Sequence, residues 1–206
     1  MNFNYYISFD YESVSVDPHT TQPLSLGAVI IEPRKLEIVP NSEFYSLIKP
    51  SDPDKVEAKA LEVNKLKMED LMKAPDLKTV WNNFVQYVEK YNKNKSKFTA
   101  PVPMGYNIER FDLIITDRLM KQFGTKTLFH CRDTMDLMKD FYRWTENNPK
   151  VKSISLDTVR EMLGIATAGK HNALEDAKDC AAIGIRMLSL YRNIKVKFEN
   201  SFAIKN

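Results

Sequence analysis

The chain has 206 residues, 43% hydrophobic and 28% charged with 6 glycines, the composition of a soluble globular protein of one domain with a sizeable core. The formal net charge of +3 permits a polyanion partner without demanding one, and there is no tail of like charges. No apolar run approaches the roughly 18 residues of a membrane span, no basic-then-apolar signal segment precedes the first strand, and Cys131 and Cys180 fit no metal or redox spacing. The expectation is a cytoplasmic protein, with a domain over residues 1–194 and a C-terminal tail over 195–206.

Three strand-like segments come first, at about 4–12, 24–32 and 43–49. A polar, proline-containing connection, SVSVDPHTTQP, separates the first two as in an antiparallel hairpin with a long loop. A looser segment with a short helix near 54–61 follows. PDLKTVWNNFVQYVEKY then places Leu77, Val80, Trp81, Phe84, Val85, Val88 and Tyr91 on one stripe of an amphipathic helix. NKNKSK ends it as a solvated loop. APVPMGY reads as a short strand, and NIERFDLIITDRLMKQFG as a helix opened by Asn107 and closed by Gly124. LFHCRDT reads as another strand, and MDLMKDFYRW as a helix capped by Asp133. LDTVREMLG is a helix with Ser155 as its cap and Gly164 past its end. The last long helix covers roughly 173–192. Strands first, then helices alternating with strands, predict an α/β fold: a mixed β-sheet flanked by α-helices.

Asp10 and Glu12 alternate with Phe9 and Tyr11, so the first strand directs two carboxylates to one face. Two helices direct one each toward the protein. Asp112 lies on the stripe of Ile108, Phe111, Ile115 and Leu119. Asp176 lies on the stripe of Ala173, Ala177, Cys180, Ala181, Gly184, Met187, Leu188 and Tyr191, whose small residues permit close approach to the sheet. Taken singly, each also fits an ordinary acidic residue near a helix end. Stripe positions 108, 115, 173 and 180 offer no Lys or Arg. Buried carboxylates without a partner protonate or find a cation. A hard divalent metal with oxygen ligands would satisfy four carboxylates converging from three elements.

The local sequences resemble a known family. FDYES is similar to the first motif of DEDD-type exonucleases. GYNIERFD is similar to the second, with Tyr106 in place of the usual histidine. HNALEDA is similar to the third in its histidine form, with His171 five positions before Asp176. The resemblance is to the DEDDh, or DnaQ-like, 3′–5′ exonucleases and covers residues 4 to 190. It implies a ribonuclease H-like fold and a hydrolase releasing 5′-mononucleotides from 3′ ends, of single-stranded DNA in the leading reading. Asp10, Glu12, Asp112 and Asp176 would then bind two divalent metal ions, Mg²⁺ with Mn²⁺ as a substitute. His171 would be the general base of a catalytic set completed by those four carboxylates. Ser13, Leu61, Asn64, Asn107 and Phe111 are substrate-binding candidates by position in the resemblance. Ser13 stands where Thr is common, and the Gly-Leu that usually follows is absent. The partner is a nucleic acid 3′ end, DNA or RNA. A ribonuclease of the same family, a polymerase proofreading subunit and a silent binding module remain alternatives.

Overall fold

Strict alternation along Tyr6–Ser13 sends Ile7, Phe9 and Tyr11 to one side and Ser8, Asp10 and Glu12 to the other. This segment is the central strand β1 of the computed structural model, which describes residues 4–165 and 172–193. Antiparallel to it runs β2 (Pro23–Glu32), and parallel to it runs β5 (Val102–Gly105). The outer edge of β2 is shared between β3 (Glu37–Ile38) and β4 (Phe44–Leu47), both antiparallel, while β6 (Met135–Asp136) continues the sheet in parallel beyond β5. Six strands form one mixed sheet among the described residues. The helices are α1 (Ala58–Val63), α2 (Met68–Lys73), α3 (Leu77–Glu89), α4 (Asp112–Phe123), α5 (Leu137–Thr145), α6 (Leu156–Met162) and α7 (Ala173–Asn193).

Two cores sandwich the sheet. On one face Ile7, Phe9, Leu26 and Ile30 pack against Val80, Trp81, Phe84 and Val88 of α3 and Ile115 and Leu119 of α4. On the other Val29, Ile31 and Met104 pack against Cys180, Ala181, Ile183 and Met187 of α7, with Phe141 and Val159 beside them. Both faces of β2 are thereby covered, which is why Leu24 to Ile31 reads as a nearly continuous apolar run. Tyr87, outside the expected α3 stripe, is buried as well because its hydroxyl donates to the Ser42 carbonyl at 2.6 Å. Cys180 is buried in this packing, whereas Cys131 is exposed. No helix among the described residues is long and apolar enough to cross a membrane.

Four local expectations need correction. The stretch 128–134 is not a strand: successive residues Leu128 and Phe129 both pack on the β1–α3 core, where a strand would separate them. Its backbone bonds go to loop carbonyls, from His130 N to Pro101 O and from Cys131 N to Lys97 O. Because the chain stays extended through β6, α5 is capped by Asp136, which accepts from Lys139 N, and not by Asp133. The helix expected from Asn107 is interrupted: one 3₁₀ turn spans Ile108–Arg110, Phe111 leaves helical geometry at φ −134° and ψ −78°, and α4 begins at Asp112. The short helix near 54–61 is a turn at Pro53–Lys55 followed by α1, and α2 was not expected at all. Ser155 caps α6 as expected, accepting from Thr158 N.

Candidate active site

Asp10 pairs with Gly27 across the β1–β2 ladder. Directly above Gly27 lies the start of α7: a Cβ at position 27 would sit 2.2 Å from the backbone nitrogen of Leu174. Only a glycine admits a helix that close. Asn172 opens α7, its Oδ1 accepting from Leu174 N at 3.1 Å and Glu175 N at 3.3 Å. One turn further, the hydroxyl of Ser8 donates to the Ala177 carbonyl at 2.8 Å, fixing the helix over β1. Asp176 is thereby held against the acidic face of the strand.

The carboxylates of Asp10, Glu12 and Asp176 offer oxygen atoms that all lie within 4.8 Å of one another. Asp112 stands beside this group as the first residue of α4, 4% exposed, and its Oδ1 accepts from the backbone N–H of Tyr11 at 3.0 Å. Burial and crowding show in the proton affinities. Burial, with Asp112, Glu12 and Asp176 adding repulsion, pushes Asp10 well above the usual carboxylate range. Burial raises Glu12 to about 7, reinforced by Asp176 and Asp112. Asp112 is likewise raised to about 7 by burial, against the hydrogen bond from Tyr11. Such a cluster is costly as it stands and lowers its energy by binding a cation.

One cation is already present, and the sequence reading did not foresee it. Arg160 of α6, 2% exposed, places Nη2 2.7 Å from Asp176 Oδ1. The same nitrogen contacts Asp179 Oδ2, and Nη1 lies 3.2 Å from Asp157 Oδ1. The α4 and α7 stripes lack basic residues as expected, but the counter-charge arrives from a third helix. A signal was available: Arg160 sits among Leu156, Val159 and Leu163, and Asp179 beside Cys180, each a charge on an otherwise apolar stripe.

His171 lies outside the described residues, as does the tail over 195–206. Of the substrate-binding candidates, Ser13, Asn64 and Phe111 line a cleft of about 340 Å³ that Glu12 also borders. Asn64 donates from Nδ2 to the Ser13 carbonyl at 3.0 Å, tying α1 to the end of β1. Leu61 does not border that cleft; its apolar side chain packs with Leu24, Val56 and Leu71 instead. Asn107 does not border it either. Its backbone takes the left-handed conformation at φ 57°, where β5 turns into the 3₁₀ segment, and its buried Oδ1 has no hydrogen bond among the described residues. Tyr106 donates its hydroxyl to the Ile154 carbonyl, joining β5 to the segment entering α6. A larger cavity, about 690 Å³ between the loop at Thr20–Gln22 and α4, contains none of the four carboxylates.

Comparison with known proteins places these features in a family. A family model described as an exonuclease, of the RNase T type, matches residues 7–183. Among curated proteins, the PolC-type DNA polymerase III of Thermotoga maritima is 24% identical over 191 residues, and that of Caldanaerobacter subterraneus 23% identical over 193 residues. These alignments take in 93% of this chain but 12% of each relative, so the chain spans about an eighth of their length. Among solved structures, cell-death related nuclease 4 superposes with a TM-score of 0.73 at 18% identity, over 91% of this chain and 64% of that one. The nuclease domain of 3′hExo, a DEDDh family member bound to rAMP, gives 0.73 at 14% identity, over 95% of this chain and 96% of that one. Escherichia coli exonuclease I in complex with an oligonucleotide gives 0.70 at 16% identity, over 92% of this chain and 43% of that one. All three share the ribonuclease H-like fold seen here.

Proposed function

The chain belongs to the DEDDh exonucleases, hydrolases of the RNase T family on a ribonuclease H-like fold, and on that premise we propose that it removes 5′-mononucleotides from the 3′ end of single-stranded DNA. The observation that carries this reading is the convergence of Asp10, Glu12 and Asp176 within 4.8 Å, with Asp112 alongside, at the edge of a cleft of about 340 Å³.

The donor set is all oxygen and anionic, and burial, reinforced by repulsion from the neighbouring carboxylates, raises the proton affinity of Asp10 and Glu12, which fits hard divalent cations such as Mg²⁺ or Mn²⁺. Asp10, Glu12, Asp112 and Asp176 would hold them. Divalent ions in such a site supply charge stabilisation for in-line displacement at phosphorus. The remaining work falls to the chain. The cleft beside Glu12 is of a size to take a terminal nucleotide, with the ring of Phe111 as a stacking or wedging surface and Ser13 and Asn64 as polar contacts. Leu61 and Asn107 act one step removed, shaping the cleft wall and the approach to α4. His171, five positions before Asp176, takes a proton from the water as its oxygen bonds to the terminal phosphorus; the P–O3′ bond breaks, and the O3′ of the penultimate nucleotide leaves, taking up a proton from solvent.

The test is digestion of end-labelled DNA and RNA oligonucleotides, single- and double-stranded, with Mg²⁺ or EDTA. Mononucleotide release from the 3′ end of single-stranded DNA, abolished by EDTA, is the expected result; RNA-only degradation would replace the DNA preference with the exoribonuclease reading. The PolC-type relatives favour a second reading, a nuclease that proofreads for a polymerase. Co-purification with a polymerase distinguishes it from a stand-alone enzyme.

A further inference from the structure

Arg160 stands out because burying an arginine is expensive. Removing such an ion from water is costly even after relaxation, and partners must recover that cost. With 2% of its surface exposed, Arg160 is enclosed between α6 and α7. Asp176 and Asp179 lie three residues apart on α7 and so share a face. The guanidinium reaches both from one nitrogen, and Asp157 on its own helix takes the other. A buried structural pair with Asp179, itself 6% exposed, would need only one of these contacts. The bond to Asp176 Oδ1, at 2.7 Å, goes to a member of the carboxylate cluster.

We propose that Arg160 is a positioning residue for the active site. Its planar guanidinium clamps the Asp176 carboxylate in the orientation that faces Asp10 and Glu12, and Asp179 is the fixed counter-charge that anchors the clamp. The division of labour follows from charge. Arg160 and Asp179 together sum to zero, so the clamp restrains Asp176 while leaving the cluster its full negative charge for a divalent cation. A guanidinium suits this task because its fork of fixed donors bonds Asp157 from Nη1 and Asp176 from Nη2 at once while its charge faces Asp179, which an ammonium point charge cannot do in a set geometry. Hydrogen bonds that orient a metal-ligating carboxylate typically contribute 10- to 100-fold to metal affinity or activity.

The inference rests on the metal reading of the cluster, so the experiment measures Mn²⁺ binding directly, by calorimetric titration of the full chain, alongside the thermal midpoint in EDTA. The charge-neutral double variant Arg160→Met/Asp179→Leu removes the clamp and its anchor together. An apolar replacement of a buried ion pair is often neutral or stabilising, but Asp176 also loses its cation, so the midpoint should fall modestly with the protein still folded, while Mn²⁺ binds about 10- to 100-fold more weakly. Arg160→Lys keeps the charge and loses the fork; it should also weaken Mn²⁺ binding, and it carries the test alone if the double variant does not fold. Parent-like Mn²⁺ affinity in a folded variant of either kind would overturn the proposal, leaving Arg160 as a structural partner of Asp179. Absence of Mn²⁺ binding in the parent protein would instead overturn the metal reading, and this inference with it.

Discussion

Replacing Glu12 by Gln should make the metal-free protein more stable at pH 8. The side chain keeps its size and its place on β1 and loses only its charge. Glu12 has its carboxyl raised from an ordinary 4.5 to about 7 by burial and by the charges of Asp176 and Asp112. The folded protein therefore holds this proton more tightly than the unfolded chain does. The stability this provides is fully present below pH 4.5 and is lost as pH rises through about 7. Above that pH the ionised carboxylate costs about 3 kcal/mol in full. Relaxation of the cleft and proton sharing with Asp10 and Asp112 reduce the realised gain to about 2 kcal/mol. In a chain of this length that raises the thermal midpoint by about 4–8 °C. At pH 5 the parent is mostly protonated at this position when folded, and the gain should shrink to about a quarter. The assay is thermal unfolding of parent and variant in excess EDTA at pH 5 and pH 8, followed by circular dichroism. Equal midpoints at pH 8, or the same gain at both pH values, would refute the account of Glu12 as a crowded, destabilising charge.

Asp10→Ala should end nuclease turnover in Mg²⁺ while raising the EDTA midpoint, since burial and three neighbouring carboxylates already disfavour its charge; substantial residual turnover would sink the metal assignment. His171→Ala should keep Mn²⁺ affinity, slow hydrolysis by roughly 10²–10⁴-fold and lose the rise of rate with pH through the histidine titration. A loss of Mn²⁺ affinity as severe as in Asp176→Ala would instead make His171 structural. Gly27→Ala should cost roughly 1–3 kcal/mol and weaken Mn²⁺ binding together, because its Cβ would meet Leu174 N at 2.2 Å and push α7 off the sheet; a parent-like midpoint would show that α7 is not seated as described.

Periodicity within single elements was legible in the amino-acid sequence. Alternation along residues 5–13 told which face of β1 carries Asp10 and Glu12, and the small-residue stripe of 173–187 told that Asp176 faces the sheet. The motifs FDYES, GYNIERFD and HNALEDA carried the family. Each is a property of a few neighbouring residues, and side-chain direction follows local backbone geometry. What depended on distance between elements was not legible. Register decided that Gly27 stands opposite Asp10, and packing decided that α7 lands on it. Residues 128–129 have strand-like composition, yet both turn to one core because no ladder claims them. Leu61 goes to the apolar cluster under α1 rather than to the cleft. Arg160 reaches Asp176 and Asp179 across 16 and 19 residues of chain. Burial of a charge is energetically tolerable only where its partners converge, and that convergence is a fact of tertiary structure.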